Sequence, residues 1–127
     1  MPLLQLDTTY DLTEQERRNC TKMLTQLYVE EMETTAGHVA VVVRSHPAES
    51  LSIGRAVDGP LAFLDADIRS GRSFEMKRSF GLAAMNYLHA EWDVPEPNLK
   101  VAFTEHPGEQ LMGVDRVGGD WTPDDTT

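Results

Sequence analysis

Residues 2–7 read PLLQLD and residues 60–65 read PLAFLD, the same PL-x-x-LD pattern 58 residues on. Each stretch reads as a strand, and the segments after the two strands are alike. After the first, Thr8–Asp11 is a polar break and Thr13-Glu14-Gln15-Glu16 is a capping box, in which Thr13 caps a helix and Glu16 reaches back. Cys20, Met23, Leu24 and Leu27 then recur at helical spacing, giving one apolar stripe to about Met32. Gly37 closes a linker, and His38–Arg44 is a strongly β-branched strand. Residues 45–58, punctuated by Pro47 and Gly54, read as a loop or short hairpin.

The second copy runs in the same order. Leu61–Ile68 is a strand, Arg69–Arg72 a tight turn and Ser73 an N-cap. Met76, Phe80, Ala83, Ala84 and Tyr87 form the next helical stripe, which stops before Pro95 and Pro97, and Leu99–Thr104 is a fourth strand. The tail from His106, rich in Gly, Asp and Thr, reads as extended and frayed at its very end. The expected architecture is α+β: a duplicated β-α-β unit, internal repeats about 1–45 and 59–105, with a four-stranded sheet and two helices on one face. A crossover helix makes the two strands of each unit parallel. The other face of the sheet is bare, and apolar strand residues there would need cover, which predicts oligomerisation.

At 127 residues the chain is expected to be one domain, residues 1–127. Its longest apolar runs, such as VAVVV, are strand length and too short for a bilayer. Twenty-one acidic against 11 basic residues give a net charge of −10. Nucleic acid and anionic membrane both reward a basic face, so neither is an expected partner. One cysteine, Cys20, excludes an internal disulfide; with no leader at the start, a cytoplasmic location is expected. His38, His46, His89 and His106 show no metal spacing, so neither metal nor cofactor is expected. His46-Pro47-Ala48-Glu49 and His106-Pro107-Gly108-Glu109 repeat as H-P-x-E, as matching turns after strands would.

Two features carry chemistry. Proline at position 2 comes after a methionine that processing normally removes, which would leave a secondary amine at the start of a strand. Burial and nearby cations disfavour its ammonium form, so such an amine can serve as a general base near neutral pH. Arg69-Ser70-Gly71-Arg72 lies where the third strand gives way to the second helix, the crevice position at which open sheets bind ligands. Two guanidinium groups there can hold a carboxylate by paired hydrogen bonds; they can equally serve a surface turn, pairing with Asp65, Asp67 or Glu75.

With Pro2, the duplicated unit and RSGRS at residues 69–73, the chain resembles the tautomerase superfamily (the tautomerase/MIF-like fold). The similarity is to the branch of cis-3-chloroacrylic acid dehalogenase, and it extends over LSIGRAVDGPLAFLDADIRSGRSFEMK and LKVAFTEHPGEQLMGVDR. The resemblance implies a homotrimer acting on a small-molecule carboxylate, with Pro2 as catalytic base and Arg69 and Arg72 as substrate-binding residues. Tyr28 and Val39 are further candidate substrate-binding residues, and Tyr28 can equally pack against the helix stripe. It also shows departures. Tyr28 falls where the dehalogenase has a histidine, Ala102 where it has a tyrosine, and Gly113 where it has its water-activating glutamate. Gly37 falls where the related malonate semialdehyde decarboxylase has an aspartate. The groups that add water or direct decarboxylation are absent, whereas keto–enol tautomerisation needs only a carboxylate clamp and one proton-shuttling base. The expected activity is therefore a tautomerase (isomerase) on a 2-oxo or 2-hydroxyalkenoic acid. Two alternatives stand beside it: a hydratase or weak dehalogenase using Glu105, Glu109 or Asp115, and a non-catalytic anion-binding trimer if Met1 is retained.

Overall fold

The computed structural model describes residues 1–124, and the fraying expected at the very end of the tail lies outside them. Strand β1 (Leu3–Thr8), helix α1 (Glu14–Met32) and strand β2 (Ala40–Ser45) form the first unit. Strand β3 (Ala62–Arg69), helix α2 (Phe74–Trp92) and strand β4 (Leu99–His106) form the second; after it comes a short hairpin of β5 (Met112–Gly113) and β6 (Arg116–Val117). The sheet order is β2-β1-β3-β4, with β1 parallel to β2, β3 parallel to β4, and β1 antiparallel to β3. This is the expected duplicated β-α-β fold.

Local chemistry sets the helix limits. The Thr13 hydroxyl accepts from the Glu16 amide at 3.1 Å, and the Glu16 carboxylate accepts from the Thr13 amide at 2.9 Å, completing the capping box. Ser73 accepts from the Met76 amide at 3.2 Å to start α2. Both helices end at a left-handed residue, Glu33 and Asp93. Cys20, Leu24, Tyr28 and Met32 form the buried stripe of α1, and Phe80, Ala84, Leu88 and Trp92 that of α2. These stripes cover Leu4 and Leu6 of β1 and Leu64, Ala66 and Ile68 of β3. At about 1.5–3 kcal/mol for each large side chain fully buried, this two-layer core is what holds the fold.

The structural repeat has a different phase from the one PL-x-x-LD suggests. Helix limits (14–32 and 74–92), both caps (Thr13 and Ser73, Glu33 and Asp93) and the 3-10 turns Ala36–His38 and Glu96–Asn98 each recur after 60 residues. So do the H-P-x-E turns, Ala48–Ser50 and Gly108–Gln110. The PL-x-x-LD offset of 58 (60 − 2) is therefore two residues out of register. Because a strand alternates faces every residue, an even error still puts the right side chains inward.

Of the loop or short hairpin expected at residues 45–58, the structure forms the loop, with one turn at Ala48–Ser50 and another where the Ala56 amide donates to the Ile53 carbonyl at 2.9 Å. Two expectations are corrected. His38 belongs to a turn and β2 starts at Ala40, while β4 runs on to His106. The tail is not extended: Trp121 is buried, and its amide donates to the Ser70 carbonyl at 2.8 Å, folding the chain back over the β3–α2 turn.

The open face of the sheet also differs from expectation. It carries Leu3, Val42 and Phe63, but polar side chains dominate it and bond to one another. Arg44 donates to Asp7 and Gln5, each at 2.9 Å, while His46 meets Asp7 at 2.7 Å and His106 meets Asp67 at 2.9 Å. The Arg44 hydrogen bond holds the Asp7 carboxyl below its ordinary range, against the opposing effect of burial. Acidic neighbours and burial act the other way on Asp65, whose carboxyl is raised first by burial and then by Asp67 and Asp7.

Candidate active site

The first residues of β1 lie beside the last of β3, since Leu3 pairs with Asp67 and the strands run antiparallel. Continuing that register by two residues places Met1 next to Arg69. The two line a small cavity of about 60 Å³, together with His38 from the turn before β2 and Leu111, Arg116 and Val117 from the C-terminal segment. Pro2 is buried one residue inward, and its carbonyl accepts from the Ala40 amide at 3.0 Å. Val39, half-buried, precedes Ala40 at the start of the neighbouring strand β2.

Arg69 is almost wholly buried, and its Nη1 donates to the Gly119 carbonyl at 3.0 Å. Arg116 donates from Nη1 to His38 Nε2 at 3.0 Å. His38 is held below the ordinary imidazole value by burial first, then by Arg116, the terminal ammonium and Arg69, with Asp115 opposing. In a chain of net charge −10, this end of the sheet gathers cations.

Arg72 occupies a different place. It too is buried, but its Nε donates to the Met32 carbonyl at 2.8 Å, at the C-terminus of α1. That helix has no basic residue in its last turn, so Arg72 supplies the favourable cation from outside. Its guanidinium carbon lies 5.6 Å from the centre of the Tyr28 ring and 5.0 Å from that of Trp121. Tyr28 is fully buried, with its ring edge-to-face against Phe80 at 5.2 Å. Among the described residues its hydroxyl is buried with no hydrogen-bond partner, and burial pushes its pKa up to about 12, opposed by Arg72 and Arg69. The structure thus brings Arg69 to the cavity near Pro2, and sets Arg72 and Tyr28 behind it.

Two glycines fix this geometry. Gly71 has φ +127°, and a Cβ there would lie 2.1 Å from the Trp121 carbonyl oxygen, so only glycine fits under the returning tail. At Gly113 a Cβ would meet the Met1 methyl at 3.0 Å. The methionine end therefore fills the space beside that backbone. Glu105 is engaged with Lys77 at 2.7 Å, while Asp115 sits on the hairpin turn, within reach of His38 electrostatically. Ala102 lies away from the cavity, in a hollow on the open sheet face with Phe63, Asp65 and Lys100.

Sequence reasoning missed Arg116 and His38 as cavity residues. The only available signal was a lone arginine in an acidic, glycine-rich tail.

The architecture matches known structures over nearly its whole length. It superposes on N1, a member of the cis-3-chloroacrylic acid dehalogenase family, with a TM-score of 0.82 and 20% identity, covering 93% of this chain and 84% of that one. A wild-type fused 4-OT, solved as a symmetric trimer, gives a TM-score of 0.78 at 20% identity, covering 92% and 94%. FG41 malonate semialdehyde decarboxylase, inhibited by 3-bromopropiolate, gives 0.76 at 20% identity, covering 90% and 91%. The fold is therefore that of the tautomerase superfamily. No protein-family model matches the chain, and no curated protein matches it by sequence. Among the described residues no helix is long and apolar enough to cross a membrane.

Proposed function

We propose that the chain belongs to the tautomerase superfamily and is an isomerase that interconverts the keto and enol forms of a 2-oxo or 2-hydroxyalkenoic acid, of the phenylpyruvate or hydroxymuconate kind. One observation carries this reading: the start of β1 and the guanidinium of Arg69 share one cavity in an otherwise acidic molecule. With Met1 in place the Pro2 nitrogen is an amide, and a cavity of about 60 Å³ has room for only about two waters. Removing Met1 frees a secondary amine and opens the space its side chain fills beside Gly113. Burial and the neighbouring cations then disfavour the ammonium form of Pro2, leaving a base able to work near neutral pH. The amine takes the proton from the enol oxygen and returns it to the adjacent carbon as the carbonyl forms, so one proton moves and no cofactor is needed.

In this reading Arg69 binds the substrate carboxylate from the cavity wall. Arg72 adds positive potential from behind, past Tyr28, and Val39 lines the approach to Pro2. A homotrimer, cytoplasmic and without affinity for nucleic acid or membranes, completes the proposal. Its subunits would cover Leu3, Val42 and Phe63 on the open sheet face. The test is ketonisation of phenylpyruvate enol by protein whose loss of Met1 is verified by intact mass. Pro2→Ala should slow it by about 100-fold or more, the range of a lost general base. Equal rates in the two proteins would remove the proposal.

A hydratase acting on short unsaturated acids is the second reading. It is favoured by Asp115, whose Oδ1 lies 3.8 Å from where a Gly113 Cβ would be, beside Met1. Release of halide or an aldehyde product from a 3-haloacrylate distinguishes it.

A further inference from the structure

Arg116 shares its cavity with Arg69 and Met1, on a hairpin that crosses the end of the sheet. A guanidinium has five donors and no acceptor, so the 3.0 Å contact with His38 requires a lone pair on Nε2. His38 is therefore neutral there, with its proton on Nδ1. A neutral imidazole nitrogen is a weaker partner for arginine than a carboxylate, which can take two parallel charge-assisted bonds. Arg116 is exposed, so turning from His38 to an incoming anion breaks one bond and disturbs no core packing.

Arg72 has no such freedom. It is buried between the Tyr28 and Trp121 rings, and turning it outward would take its Nε from the Met32 carbonyl and uncap α1.

We infer that Arg116 is the second direct arm of the carboxylate clamp, paired with Arg69, and that His38 holds this arm across the cavity until an anion displaces it. The inference rests on reading the cavity as a carboxylate site and deepens that reading: Arg72 becomes a positioning residue for α1 and the β3–α2 turn. Binding is thereby coupled to protons. The titratable and charged groups facing His38 are the chain terminus, which is the Pro2 amine once Met1 is gone, Arg69 of β3, and Arg116 and Asp115 of the hairpin. Burial first, then Arg116 and Arg69, favour its neutral form, with Asp115 opposing. A bound carboxylate neutralises Arg69 and Arg116 and releases Nε2, so His38 protonates more readily in the complex. Anion binding then tightens as pH falls from 7 toward 6 and takes up a fraction of a proton.

The test is calorimetric titration of the Met1-free protein with 3-phenylpropanoate, a carboxylate that cannot enolise. Arg116→Gln should weaken binding by about tenfold or more, as loss of a charge-assisted pair does, and Arg116→Lys should restore part of it. His38→Gln should reduce the proton uptake to the share taken by the Pro2 amine, read from the dependence of the heat on buffer ionisation and compared with the same titration of Pro2→Ala. Unchanged affinity in Arg116→Gln, or no binding by the wild type at millimolar ligand, overturns the inference. So does loss of binding in a folded Arg72→Gln protein with Arg116→Gln unaffected. Pro2-dependent turnover with an unaltered KM in Arg116→Gln would leave the tautomerase reading standing and this one fallen. Arg116-dependent binding without turnover would do the reverse.

Discussion

The 60-residue repeat gives this molecule two ends built on one plan, and they have opposite chemistry. At one end, β1 and β2 finish and β3 begins. There Asn98 is fully buried: its Oδ1 accepts from the Val57 amide at 2.8 Å, and its Nδ2 donates to the carbonyls of Val57 at 2.8 Å and Pro60 at 3.0 Å. Thr9 accepts from the Leu61 amide, and Tyr10 stacks on Trp92 at 5.0 Å. At the other end, the position 60 residues before Asn98 is His38, half-buried and bonded to an exposed arginine. The equivalents of Thr9 and Leu12 are Arg69 and Arg72. An amide has both donors and acceptors and can satisfy a loop from within. A guanidinium cannot accept, so cations gathered at one end make its potential positive, which suits the carboxylate site proposed above. In that reading, duplication lets one copy close the fold while the other receives a ligand.

The sharpest way to break this comparison is at the closed end. Asn98→Ala strands the Val57 amide and the carbonyls it served, and should cost about 3 kcal/mol, lowering Tm by about 10 °C. His38→Ala should change Tm little, since its surroundings are half-exposed. Thermal melts of both variants measure the asymmetry, and equal losses would show that the two ends are structurally equivalent.

A smaller effect is expected at Gly71→Ala, where the left-handed φ and the Trp121 carbonyl together exclude a Cβ. The cost should be about 2 kcal/mol, with the tail lifting off the turn. A red shift of tryptophan fluorescence as Trp121 leaves its buried site would report this, and an unshifted spectrum would show that the tail tolerates the change.

The smallest effect is electrostatic. The folded state depresses the His38 pKa, so below the ordinary imidazole value of about 6.5 the unfolded chain binds more protons. Stability contributed at this site is thus complete above the ordinary imidazole value and falls as pH drops below it. His38→Gln should flatten that part of the Tm profile. A profile with the same slope in both proteins would mean that the cations around His38 exert no net field on it.

Much of the fold was legible because its signals are local. Thr13 and Glu16, Ser73, and the Pro95–Pro97 stop act within one helical turn, and they survive in any tertiary setting. The phase of the repeat was harder to read: PL-x-x-LD is a match of letters at 58, whereas the caps and H-P-x-E turns keep the spacing of 60. The candidate site was partly legible. Pro2 and Arg69 can be placed from strand ends, but RSGR does not say which arginine points where. Only the Met32 carbonyl and the Tyr28 and Trp121 rings decide that Arg72 turns inward. Arg116 was invisible, because a two-residue strand in a polar tail has no periodicity.

By itself, the order of residues determined the two β-α-β units, the helix limits and the side of each strand that faces the core, since capping and alternation are short-range. Only tertiary structure decided which cations share a cavity, that the tail returns across Gly71, and that the open sheet face is a hydrogen-bonded network. Those outcomes depend on contacts between segments far apart in the chain, such as Met1 with Gly113 and His38 with Arg116, which no local pattern encodes.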